Sequence, residues 1–308
     1  MTTNAIQSSH IYSTYFAPRG RSRIYTLGMQ IAQLYLSPFD QIIGFIGEAG
    51  SGKSVLIKGM FPGIELTNDD DGVNVRPLPL LEQEYETGFF TPHTYHLDIR
   101  FETGFHQLSE LADAVRLAVR RGKRIIIEHF DLIYPLLGVN ANLLIGVGEQ
   151  IVITRPNLFG PLPQELCDIV YPSLAYRLMA HSAEDLCEYA MTQEQMLACS
   201  HGDIRHGFVL EFNEHQPDID IPTLESRVNE LIRADLPIDY YDESHILLGG
   251  VQHYCTGPRT HVRSTGRIIG FRLLDHFIYD HFHKTYMLVG CVGDDSEENI
   301  RKLEKIHG

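Results

Sequence analysis

Apolar positions in the first half of this chain alternate between helical spacing and short unbroken runs. Gly28, Ile31, Ala32 and Tyr35 share one face of a helix over 25–35, which Pro38 helps to end. Ile42-Ile43-Gly44-Phe45-Ile46 predicts a buried strand, and Val55 to Met60 the helix after it. Ile64-Glu65-Leu66 predicts a second strand, and residues 72–106, rich in Pro, Gly, Tyr and His, predict irregular structure. Ser109 is the expected N-cap of a helix to Arg121, with Leu108, Leu111, Ala112, Val115 and Val119 on one face and Gly122 closing it. Arg124 to His129 predicts a short buried strand with Glu128 near its end, and 143–154 holds two more apolar runs. Strands alternating with helices predict an α/β layer structure with a parallel sheet covered by helices. Pro156, Gly160, Pro161 and Pro163 predict a linker near 156–172.

The second half lacks that rhythm. Helices are expected over 178–191, 223–235 and 296–306, and strands over 207–212, 268–274 and 286–292. This mixture predicts a smaller α+β domain.

The octet Gly47-Glu48-Ala49-Gly50-Ser51-Gly52-Lys53-Ser54 sits between the first strand and its helix. It fits G-x-x-x-x-G-K-[ST], and strand, loop, helix is the context that this pattern requires. Glycines let the backbone turn its N–H groups inward around phosphates, and the N-terminus of the helix adds partial positive charge. The expected nucleotide contacts run from Gly47 through Val55. Lys53 is expected at the β- and γ-phosphates and Ser54 on Mg²⁺, with ATP or GTP as the ligand. Glu128 is the candidate for positioning Mg²⁺ or water, and Asp70 a weaker candidate for a general base.

Composition narrows the setting. The 308 residues suffice for two domains, and 44% hydrophobic with 21% charged residues is ordinary for a globular protein. No apolar stretch reaches a membrane span, and the first residues lack the pattern of a signal peptide. Five scattered cysteines, an odd number, suit a reducing cytoplasm. Sixteen histidines raise the question of a metal site. Net charge is −15, and residues 181–250 hold three Arg against fifteen Asp and Glu. So acidic a region disfavours tRNA as a partner.

Four ordered segments of the second half resemble the second additional domain shared by threonyl- and alanyl-tRNA synthetases. Ala180-His181-Ser182-Ala183-Glu184-Asp185-Leu186 is similar to that family's H-S-x-x-H helix. Gly207 to Phe212 is similar to its G-F-Y-Y-D strand, and the helix around Thr223-Leu224-Glu225 follows in order. Cys255-Thr256-Gly257-Pro258-Arg259-Thr260-His261-Val262 resembles C-x-G-P-H-V. The resemblance covers about 175–308 and implies an editing-like pocket with a Zn²⁺ quartet of His181, Asp185, Cys255 and His261. Asp185 stands where the family has histidine, and five residues separate Cys255 from His261 where the family has three. A pocket that keeps the fold without the editing chemistry fits those departures as well. His253 is an alternative ligand. More weakly, Gly122-Lys123-Arg124-Ile125-Ile126-Ile127-Glu128 resembles a strand of uridine-kinase-type P-loop kinases, with His129 in the place of glycine. That likeness implies a substrate-binding or catalytic acid among Asp69 to Asp71.

The expected organisation is a P-loop NTPase domain over 1–170, its core at about 25–165, followed by an editing-like domain over 175–308. Three functions compete. The first is a phosphotransferase or NTPase acting on a small molecule, such as an amino acid or aminoacyl group, held with help from the second domain. The second is an aminoacyl-tRNA deacylase, Zn-dependent or not, coupled to an NTPase module. The third is a nucleotide-dependent switch or metal chaperone.

Overall fold

The computed structural model describes residues 12–67, 93–213 and 215–307. Asp70 and its neighbours Asp69 and Asp71 lie outside the described residues. The chain forms two compact units. The first comprises the described residues up to Ala17 together with Arg21–Pro172, and the second comprises Pro18–Gly20 and Ser173 onward. Among the described residues, no helix is long and apolar enough to cross a membrane.

The first unit is an α/β fold on a mixed sheet. In chain order its elements are β1 (Ser13–Phe16), α1 (Arg21–Tyr35), β2 (Ile42–Ile46), α2 (Lys53–Met60), β3 (Thr94–Asp98), α3 (Ile99–Glu102), α4 (Leu108–Arg120), β4 (Arg124–Glu128), α5 (Phe130–Leu137), β5 (Leu143–Val147), β6 (Gln150–Thr154) and the start of α6 (Pro163–Ala190). The sheet order is β1-β6-β5-β2-β4-β3. β3, β4, β2 and β5 run parallel, whereas β6 and β1 are antiparallel to their neighbours. The wholly parallel sheet expected from the sequence is therefore corrected at this edge. Gly148 and Glu149 turn the chain straight back from β5 into β6, and a two-residue turn can only join antiparallel strands.

Both faces of the sheet are covered, so its central strands are apolar throughout rather than alternating. Every residue of β2 and β5 is buried. Ile43, Phe45, Ile126 and Ile145 share one core with Ile31, Leu56 and Ile57, whereas Ile42, Ile46, Ile125 and Ile127 share the other with Leu111, Val115 and Ile133.

Several boundaries differ from expectation. Ile64–Leu66 is not a strand, although Leu66 is buried. The stretch read as irregular contains β3 and α3. The N-cap of α4 is Gln107, not Ser109, because Gln107 and Glu110 form a reciprocal capping box. The expected linker holds the first turns of α6, since Pro163 stands at a helix start, where its missing N–H costs nothing.

In the second unit the rest of α6 is followed by α7 (Gln193–Ala198), β7 (Cys199–Ile204), β8 (Gly207–Asn213), α8 (Ile221–Arg233), β9 (Ile238–Asp242), β10 (His245–Leu248), β11 (Val251–Tyr254), β12 (Arg272–Leu273), β13 (Ile278–Asp280), β14 (Thr285–Cys291) and α9 (Ser296–His307). One antiparallel sheet has the order β12-β14-β8-β7, with β13 also on β14, and a second has the order β11-β10-β9. Met179, Ala183 and Leu186 of α6 join Leu224 and Val228 of α8 and Phe208 and Leu210 of β8 in its core. The strand expected over 268–274 shrinks to Arg272–Leu273, preceded by one 3-10 turn at Thr265–Arg267. Arg19 is buried, with its guanidinium on Glu184 at 3.1 Å and Asp203 at 3.0 Å.

Candidate functional site

Two clusters of chemically capable side chains stand out, one in each unit. The first surrounds the loop between β2 and α2. Gly50 and Gly52 take positive φ of 79° and 89°, a region that a side chain would strain. Gly47 lies so close to Val147 that a Cβ there would meet its carbonyl oxygen at 2.5 Å. Ala49 and Gly50 are exposed, Ser54 and Val55 half-buried, and Lys53 buried. The Lys53 ammonium donates to the carbonyls of Gly47 and Glu48, each at 2.9 Å, which curls the side chain over the loop.

Glu128 is the hub of this cluster. Parallel register places Phe45 of β2 and Asp98 of β3 on either side of it, so all three stand near the carboxyl ends of their strands. Ser54 Oγ donates to Glu128 Oε1 at 3.2 Å, and Lys53 Nζ is 3.8 Å from Oε2. His96 Nε2 is 3.1 Å from Oε1. The Thr67 N–H donates to His96 Nδ1 at 3.1 Å, so Nδ1 is the acceptor and Nε2 carries the proton given to Glu128. Burial works against the charge of Glu128, but the hydrogen bond from His96 and the nearby charges outweigh it, and its pKa is lowered. Burial likewise lowers the pKa of Lys53, opposed by Glu128 and Asp98. Glu128 therefore stays an anion beside an ammonium and a hydroxyl.

His96, Asp98 and His129 belong to this neighbourhood, and none of the three is expected there from the sequence. Asp98 ends β3 in register with Glu128 at the end of β4, a pairing that only the folded sheet reveals. His129 is buried at φ 56°, and its Nδ1 has no hydrogen-bond partner among the described residues. His93 and His106 join no metal cluster among the described residues.

The second cluster lies in the other unit. His181 and Asp185 project from one face of α6, and Cys255 and His261 from the loop after β11. Their ligand atoms lie within 4.8 Å of one another. His181 Nε2 is 3.5 Å from Cys255 Sγ and 3.8 Å from Asp185 Oδ1. His261 Nε2 is 3.7 Å from Cys255 Sγ and 2.8 Å from Asp185 Oδ2. Ser182 anchors the loop by accepting the Val262 N–H at 3.0 Å. Gly257 has no room for a side chain, since a Cβ would meet the Arg19 carbonyl oxygen at 2.2 Å.

These residues fit a zinc ion. Each imidazole gives its Nδ1 proton to a backbone carbonyl, His181 to Thr260 at 2.9 Å and His261 to Pro258 at 3.3 Å. Both Nε2 lone pairs then face the thiol and the carboxylate, as in histidine-metal sites. A tetrahedral zinc with such donors has ligand–ligand edges of about 3.4 to 3.6 Å, and the observed separations bracket that range. Acceptor meets acceptor between His261 Nε2 and Asp185 Oδ2, so a proton or a cation has to bridge them. Burial, aided by the charge of Asp185, raises the pKa of Cys255 far above the ordinary thiol range. A divalent ion would take the place of its proton. Burial and the nearby His261 push the pKa of His181 well down, which keeps it a neutral ligand. His253, the alternative ligand, groups with Asp185 and Glu188, its Nε2 at 3.9 Å from Glu188 Oε2.

No protein-family model and no curated protein matches this chain.

Proposed function

We propose that the first unit binds a magnesium-nucleoside triphosphate, ATP or GTP, and serves phosphoryl transfer to a small molecule or hydrolysis. The observation that carries this reading is the 3.2 Å hydrogen bond from Ser54 to Glu128. It joins a hydroxyl at the helix start to a carboxylate on the neighbouring strand, directly beneath a glycine-rich loop. Hard oxygen donors of this kind suit Mg²⁺. When bound, Mg²⁺ neutralises phosphate charge.

The chain's own groups have defined tasks. Loop N–H groups from 47 to 54 offer hydrogen bonds to phosphate oxygens, and Lys53 exchanges its two loop carbonyls for them. His96 holds Glu128 ionised and oriented, so Ser54 and Glu128 present two oxygens to the cation. In the second unit, His181, Asp185, Cys255 and His261 would hold Zn²⁺. Four protein donors close the tetrahedron, which favours a stabilising ion over a hydrolytic one. This weighs against ester hydrolysis at the quartet itself.

Equilibrium binding of a fluorescent nucleoside triphosphate, with and without Mg²⁺, tests the reading. Wild type should bind micromolar or tighter in Mg²⁺, and Lys53→Ala should lose at least about tenfold, or about 1.4 kcal/mol. Equal affinity of both proteins would remove the assignment.

A further inference from the structure

We propose that a second divalent cation binds beside the quartet, on Asp185 and Glu188 of α6 and His253 of β11, with a coordination position left open. The inference extends the zinc reading of the quartet, with which it shares Asp185. One ring nitrogen of His253 and one carboxylate oxygen each of Asp185 and Glu188 lie within 4.8 Å of one another, and all three residues are buried. His253 is 7% exposed, yet its Nε2 has no hydrogen-bond partner among the described residues. An imidazole nitrogen buried without a partner is costly unless something occupies its lone pair. What it faces is Glu188 Oε2, 3.9 Å away, too far for a hydrogen bond.

Glu188 is already set for such a role. Its Oε1 is taken by a short hydrogen bond with His201 and by the Cys199 thiol at 3.6 Å. These contacts fix the carboxylate and leave Oε2 turned to His253, as outer partners orient metal-bound carboxylates. His181, Asp185 and Glu188 follow one another at spacings of four and three, so one helix face serves both sites. Glu184, in the same turn, is not available, because Arg19 holds it at 3.1 Å.

The two sites differ in kind. The quartet offers four donors including sulfur. The second offers two oxygens and one nitrogen, which suits a zinc-class ion that keeps a water or takes a substrate oxygen in its fourth position. Asp185 bridges the two, each ion taking one of its oxygens.

Co²⁺ titration of the metal-free full chain tests this, because the sites have separable spectra. Of the two sites only the quartet holds a thiol, so the near-ultraviolet sulfur-to-cobalt band reports the quartet, with Cys199→Ser as the control for the thiol beside Glu188. Wild type should bind two Co²⁺ per chain. His253→Ala, and separately Glu188→Gln, should bind one and keep the thiolate band, with melting curves confirming folding. The second ion should weaken by at least about 10-fold in either variant. One Co²⁺ per chain in wild type, or two in both variants, would overturn the second site. Absence of the thiolate band, with an ion still lost on His253→Ala, would overturn the quartet and leave the second site standing.

Discussion

Ser54 and Glu128 are 74 residues apart in sequence and 3.2 Å apart in space, hydroxyl to carboxylate. Glu128 is buried, and its Oε1 receives both this hydroxyl and the His96 ring N–H. If they jointly hold Mg²⁺, their loss should show in the metal dependence of binding. Ser54→Ala and Glu128→Gln should each reduce the gain in nucleotide affinity on adding Mg²⁺ by about tenfold or more, or at least about 1.4 kcal/mol. Affinity measured in EDTA should change little. Calorimetric titration with and without Mg²⁺ checks this, and an undiminished Mg²⁺ effect in both variants would contradict it.

The helix after the loop is clamped by two glycines. A Cβ on Gly28 of α1 would meet the Leu56 carbonyl oxygen at 2.5 Å, and one on Gly59 of α2 would meet that of Tyr25 at 2.2 Å. The obstacles are backbone atoms, which a rotamer change cannot remove. The two helices would have to part. Gly59→Ala should therefore lose about 1–3 kcal/mol, despite the higher helix propensity of alanine. Urea denaturation measures this, and a stability within about 0.5 kcal/mol of wild type would show that the helices yield freely.

Much of this was legible along the chain, and the failures have physical causes. Glu128 could be read because three consecutive isoleucines precede it, and such a run has few homes other than a buried strand. His96 and Asp98 were hidden because Thr94-Tyr95-His96-Leu97-Asp98 mixes polar and apolar residues that the sheet nevertheless buries. Propensity cannot foresee burial of an imidazole whose partner is a distant carboxylate. The helical pair His181 and Asp185 comes from the resemblance to the synthetase domain, and its spacing of four puts both on one helix face. Cys199 and His201 beside Glu188 were not legible, because strand β7 brings them there through tertiary packing alone. The antiparallel edge of the sheet also escaped, since an apolar run carries no direction.

Asp280 and His283 make a self-contained pH probe at the turn between β13 and β14. Their side chains meet at 2.7 Å on the surface, and Asp280 Oδ1 also accepts the Phe282 and His283 N–H groups. The hydrogen bond to His283 lowers Asp280 to about 2, and the reciprocal bond raises His283 above its ordinary value. The raised histidine contributes stability that is complete below about pH 6.5 and lost as pH rises through its folded value. The depressed aspartate contributes stability that is complete above about pH 3.9 and lost as pH falls through about 2. The turn is thus firmest between those limits. Proton NMR should place the His283 midpoint above that of a free histidine, and Asp280→Asn should bring it back. An unshifted His283 in wild type would mean that solvent screens the pair completely.

Metal removal is the sharpest test of the quartet. Without an ion, His261 Nε2 and Asp185 Oδ2 have to share a proton at 2.8 Å, and Cys255 stays a buried thiol. An ion replaces those compromises with four directed bonds and binds the folded state alone. At free zinc a thousandfold above its dissociation constant, linkage gives about 4 kcal/mol. For a unit of this size, that corresponds to a melting temperature higher by about 10 °C. Treating the protein with a strong chelator should lower the melting temperature by that order, and zinc should restore it. Cys255→Ser should weaken the response, since an alcohol is a poor zinc ligand beside a thiolate. Calorimetric scans of the chelated and zinc-loaded protein that superimpose would leave the cluster as a hydrogen-bonded knot that binds no ion.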